Sequence, residues 1–63
     1  MKIIITIFKI KDGYAWKEVY DYWQDARKRL IKLAHSTKLQ VVDIETDTPD
    51  DQEELWHYYK YGY

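Results

Sequence analysis

Residues 14–35 read YAWKEVYDYWQDARKRLIKLAH, and the assignment of this stretch decides the fold. Trp16, Val19, Tyr20, Trp23, Ala26, Leu30, Leu33 and Ala34 recur at spacings of three and four, which draws one apolar stripe along a helix. Only Arg27 interrupts it. On this reading Asp12 or Gly13 supplies the N-cap. The other face carries Lys17, Glu18, Asp21, Gln24, Asp25, Lys28, Arg29 and Lys32, with acids toward the start and bases toward the end, the order a helix dipole favours. Asp25 lies one turn from Arg29 and is placed to pair with it. A hairpin competes, because Lys11-Asp12-Gly13 is a turn signal after a β-branched run and Tyr14, Trp16, Tyr20 and Tyr22 all hold even positions. Alternation, however, places Glu18 among the aromatics and does not account for Leu30 to Ala34. The sequence therefore predicts one helix over 14–35.

Outward from that stretch, Ile3, Ile5 and Ile7 alternate with Ile4, Phe8 and Ile10. A strand that is apolar on both faces sits at the centre of a sheet or is sandwiched. A second strand is expected over 39–47, with Leu39, Val41, Val42 and Ile44 apolar and acids at Asp43, Glu45 and Asp47. Thr48-Pro49-Asp50-Asp51 then opens a helix, with a hydroxyl at the N-cap, proline at N1 and acids behind it. Its stripe is Leu55, Trp56 and Tyr59, with Tyr63 as its extension, while Tyr58 and Tyr61 point elsewhere, and Gly62 marks the stop. The expected architecture is a compact α+β unit of order β-α-β-α, a long first helix packed on a small sheet. A helix between two strands suggests a parallel crossover, with an antiparallel arrangement as the alternative. Two strands are not a stable sheet, and a homodimer joining two such sheets would complete it.

The chain has 63 residues and no cysteine. It forms one domain, 1–63, of a size that buries only about 60% of its unfolded surface, and disulfide or thiolate-metal staples are excluded. Oligomerisation remains as a supplement. Eleven aromatics, seven Tyr, three Trp and one Phe, exceed what so small a core encloses and favour an interface. The net charge of −1 conceals a division: residues 1–38 carry nine basic and four acidic side chains, 39–63 one basic and seven acidic, giving +5 and −6. That asymmetry argues against a uniformly basic nucleic-acid surface. No stretch has the length of a membrane span or the pattern of a signal peptide, and a cytoplasmic protein is expected.

Chemistry-bearing patterns are few. Asp43-Ile44-Glu45-Thr46 resembles the first metal-binding motif of the DEDD exonucleases, in which an Asp and a Glu two apart on a strand hold divalent cations. The resemblance covers four residues and implies a metal-dependent enzyme at Asp43 and Glu45; an exposed acidic strand face is the plainer reading, and no metal or cofactor is expected. In length and in its strand, helix, strand order the chain also looks like the small 4-oxalocrotonate tautomerases. Those depend on an amino-terminal proline, whereas Lys2 stands here and the single proline is Pro49. His35 and His57 have neither ligand spacing nor cysteine companions, and Ser36 beside His35 makes no triad. With glycine only at positions 13 and 62, no phosphate-cradling loop exists.

The expected function is thus a non-enzymatic protein-binding module, homodimeric, acting as an inhibitor or regulator of a larger protein. Small Lys/Ile/Tyr-rich chains of this kind resemble phage and plasmid accessory proteins, including those that block host defence. The partner surface is expected at Trp56, Tyr58, Tyr59 and Tyr61, with Asp50, Asp51 and Glu54 as an acidic rim suited to a basic protein. The alternatives are nucleic-acid contact through Arg27, Lys28, Arg29 and Lys32 with tyrosines as stacking platforms, the metal enzyme above, and an engineered mini-protein without natural function.

Overall fold

The computed structural model describes every residue from Met1 to Tyr63. Its elements are β1 (Ile3–Lys9), β2 (Tyr14–Tyr20), α1 (Trp23–Ala34), β3 (Leu39–Glu45) and α2 (Pro49–Tyr61). The fold is α+β, as expected, but the order is β-β-α-β-α. The helix predicted over 14–35 is therefore corrected: its first third is a strand and the helix begins at Trp23.

The reason lies in the alternation. β2 pairs antiparallel with β1 in the register Ile3↔Tyr20, Ile5↔Glu18, Ile7↔Trp16 and Lys9↔Tyr14. Directly paired residues share a face, so Tyr14, Trp16, Glu18 and Tyr20 lie with the buried isoleucines while Ala15, Lys17 and Val19 face the other way. The turn is closed by Gly13, at φ +66°, whose N–H donates to the Lys9 carbonyl at 2.9 Å. A Lys9–Asp12 ion pair at 2.8 Å spans the same loop. Glycine takes this left-handed conformation without a Cβ penalty, which makes Lys11-Asp12-Gly13 a hairpin turn and not a helix cap.

The sheet order is β2-β1-β3, which places β1 at the centre as its two-faced apolar pattern requires. β3 also runs antiparallel to β1, so the parallel arrangement expected of these two strands is corrected: the crossover that α1 makes joins β2 to β3, which lie parallel to each other on either side of β1. The register shifts between Thr6 and Ile7, with Thr6 opposite Asp43 and Ile7 opposite Val41. Val42 is the extra residue of this bulge. The bulge reconciles a sequence that does not alternate, because Val41 and Ile44 are both buried while Val42 stays exposed.

Both helices cover one face of the sheet. The core is Ile3, Ile5, Ile7, Ala26, Leu30, Leu33, Val41, Ile44 and Leu55. From α1 it takes Ala26, Leu30 and Leu33, three members of the predicted stripe. Arg27, the interruption, is accommodated because its guanidinium lies 5.0 Å from the ring centre of Tyr58, a cation–π contact. α2 begins as expected, with the Thr48 hydroxyl accepting from the Asp51 N–H and proline in the first turn. It ends at Gly62, φ +76°, whose N–H donates to the Tyr58 carbonyl. No helix is long and apolar enough to cross a membrane.

Candidate functional site

Three groups of side chains were candidates from the sequence, and the structure separates them. The α2 group divides by depth. Trp56, Tyr58 and Tyr59 pack against the core. The Tyr59 hydroxyl accepts from the Val41 N–H at 3.1 Å, and Tyr58 meets Trp23 edge to face at 6.3 Å. Tyr61 and Tyr63 remain exposed, at 49% and 73%. With His57, 4.5 Å from Tyr61, they make a contiguous outer run of rings. Asp50, Glu53, Glu54 and His57 line a shallow open groove that continues this face toward the start of the helix. Asp51 is half-buried and its N–H is engaged at the N-cap. Aromatic surface and acidic rim thus converge on one outer face of α2, to which Tyr61, Tyr63 and His57 contribute the rings.

The α1 cations divide as well. Arg27 lies over Tyr58. Arg29 is bound to Glu18, with Nε at 2.9 Å from Oε1 and Nη2 at 3.1 Å from Oε2, and so is not paired with Asp25. Lys28 and Lys32 stay exposed and flank an open cleft of about 560 Å³ between α1 and Tyr20.

Glu18 is the residue sequence reasoning misread, and it organises the margin where α1 meets β2. Besides Arg29, its oxygens accept from Trp16 Nε1 at 3.0 Å and from the Tyr20 hydroxyl at 2.6 Å. Burial raises its pKa, but the hydrogen bonds from Arg29, Trp16 and Tyr20 outweigh this and hold the carboxyl below its ordinary value. Tyr20 is pushed up to about 12, by burial first and then by its bond to Glu18. Arg29 is raised, chiefly by its hydrogen bond to Glu18. A carboxylate held ionised with both oxygens occupied is a clamp; a general base works best with its pKa near the operating pH and a free lone pair. The signal was present in the sequence: in Trp16, Glu18 and Tyr20, two donors flank one acceptor at the strand period.

Asp43 and Glu45 stand opposite Thr6 and Ile4, on the face of the sheet away from the helices. Nowhere are three or more His, Asp or Glu side chains brought together in a metal-ligating group. His35 Nε2 lies 3.3 Å from the Gly62 carbonyl, at the junction of the helix ends. No protein-family model matches the chain, and no curated protein or solved structure matches it either.

Proposed function

We propose that this chain is a non-enzymatic protein-binding module that self-associates and regulates or inhibits a larger protein by holding a basic segment of it on the outer face of α2. The observation that carries this reading is the exposed run His57, Tyr61 and Tyr63 beside Asp50, Glu53 and Glu54. Tyrosine gives large contact area at low entropic cost. A rim of one charge sign steers an oppositely charged partner and selects against others. Trp56, Tyr58 and Tyr59 serve this surface from beneath, by fixing α2 to the sheet.

The test is selection from a displayed peptide library of mixed charge. Lys- and Arg-rich peptides should be enriched, should bind less well as salt is added, and should be lost by Tyr61→Ser with Tyr63→Ser while the melting temperature is unchanged. Enrichment without charge preference, or binding indifferent to both substitutions, overturns the reading. Single-stranded nucleic acid bound in preference to every peptide, and released by Lys28→Ala with Lys32→Ala, would replace it with the nucleic-acid function.

A further inference from the structure

The helices cover one face of the sheet and leave the other bare. On the bare face Ile4 and Phe8 of β1 are only half-buried, Val19 of β2 is 56% exposed and Val42 of β3 49%. The middle row of this surface is polar throughout, Lys17 on β2, Thr6 on β1 and Asp43 on β3, each directly opposite the next, and β3 adds Glu45 opposite Ile4 and Gln40 opposite Phe8. The chain forms two ion pairs, Lys9–Asp12 and Arg29–Glu18. Lys17 and Asp43 take part in neither. The central row is therefore a plus charge at one margin and a minus charge at the other, with Ile4, Phe8 and Val19 around it.

We infer that a second copy of the chain covers this face, in a face-to-face sandwich whose two-fold axis runs parallel to β1 through Thr6. The proposal specifies the geometry of the self-association advanced above and rests on it. Two sheets packed face to face lie about 10 Å apart with strands inclined by about 30°. A two-fold axis in that interface has two simple settings. An axis perpendicular to the strands places β2 on β2, and stacks Lys17 on Lys17 and Asp43 on Asp43. An axis parallel to the strands exchanges the margins, so each Lys17 lies over Asp43 of the other copy and two ion pairs form. Strands are about 4.8 Å apart, so a 30° inclination about Thr6 moves either charge sideways by only about 2.4 Å. A lysine side chain spans that displacement. Along the axis Ile4 meets Ile4 and Phe8 meets Phe8, while Val19 lies over Glu45 of the other copy, so the Lys17–Asp43 pairs are what select this setting.

The edge of β3 is less well provided as a route to a dimer. Side chains of α2 occupy backbone groups of the edge strand β3, Tyr59 at the Val41 N–H and Gln52 at the Ile44 carbonyl. Three seven-residue strands present a flat footprint of roughly 340 Å² per copy, which places the dimer at the weak, reversible end of specific interfaces.

Sedimentation of the whole chain over a range of concentrations tests the proposal through charge reversal. The wild-type chain should dimerise reversibly, with added salt weakening the dimer. Lys17→Asp and Asp43→Lys should each raise the dimer Kd by about tenfold or more, since each turns both ion pairs into like-charge contacts. The double reversal should dimerise as the wild type does. The two single variants, monomeric alone, should form a heterodimer when mixed, a result that no change within one chain can produce. Circular dichroism checks that each variant is folded; the neutral Lys17→Gln and Asp43→Asn should show the same loss to a smaller degree. A wild-type dimer indifferent to these substitutions overturns the geometry and leaves self-association standing. A chain that stays monomeric throughout overturns both, while peptide capture by α2 is read separately.

Discussion

Glu18 shows how one residue redirects a local reading. A charge among aromatics counts against a half-buried strand only when it has no partner, and here Arg29, eleven residues later, meets it with two hydrogen bonds. The clamp makes stability depend on pH at both ends. Because the folded-state pKa of Glu18 lies below its unfolded value, its contribution is present above the unfolded pKa and lost as pH falls through the folded one. Tyr20 has the opposite sign: its pKa is raised to about 12, so its contribution is full below about 10, the unfolded value, and disappears as pH rises through the folded one. Thermal melts of wild type and Glu18→Gln should show the variant less stable at neutral pH and flatter on the acid side. An ultraviolet titration should show one tyrosine ionising late, and Tyr20→Phe should abolish that phase. At neutral pH Glu18→Ala should cost about 1–2 kcal/mol by urea denaturation, a charged hydrogen-bonded pair discounted for its partial exposure.

At the scale of elements, the two helices begin differently. α2 has a Thr48 cap bonded to the Asp51 N–H and a proline in its first turn. α1 starts after Tyr22, which is extended, 72% exposed and offers no capping hydrogen bond. Orphan N–H groups at a helix start are satisfied best by Asp, Asn, Ser or Thr. Tyr22→Asp should therefore stabilise the protein by about 1 kcal/mol, measured as an upward shift of the urea midpoint with unchanged slope. A fall in stability would mean that the Tyr22 ring holds a contact the fold needs.

For the whole molecule, nine buried side chains form the entire core. A domain of this length has a stability of roughly 3–9 kcal/mol, and Leu30→Ala, at a fully buried position, should remove about 2–5 kcal/mol of it. The variant should be largely unfolded at physiological temperature by circular dichroism. Trp23→Ala should do less harm, because Trp23 keeps partial exposure at the rim of the core. Since the bare sheet face is proposed to be covered by a second copy, the melting temperature of the wild type should rise with protein concentration, as mass action requires when the folded state associates. A melting temperature independent of concentration would count against that cover.

The sequence by itself determined the features that reside in neighbouring residues. These are the double-faced apolar β1, the Thr48-Pro49 start and Gly62 end of α2, and the stripe Ala26, Leu30 and Leu33. Each depends on backbone geometry, helix period or local hydrogen bonds, which short segments specify. Tertiary structure decided where the first helix begins, the direction of β3 and the roles of the aromatics. Residues 14–20 satisfy helical and strand periods together, and the choice fell to contacts with Ile3, Ile5 and Ile7 and to the distant Arg29. Likewise Val41 and Ile44 both reach the core only because a bulge opposite Thr6 and Ile7 absorbs Val42. Tyr58 and Tyr59 became supports, not free surface, because Trp23, Arg27 and the Val41 N–H meet them across the fold. Propensity is a weak preference of less than about 1 kcal/mol per residue, and long-range pairing of that size or larger overrides it.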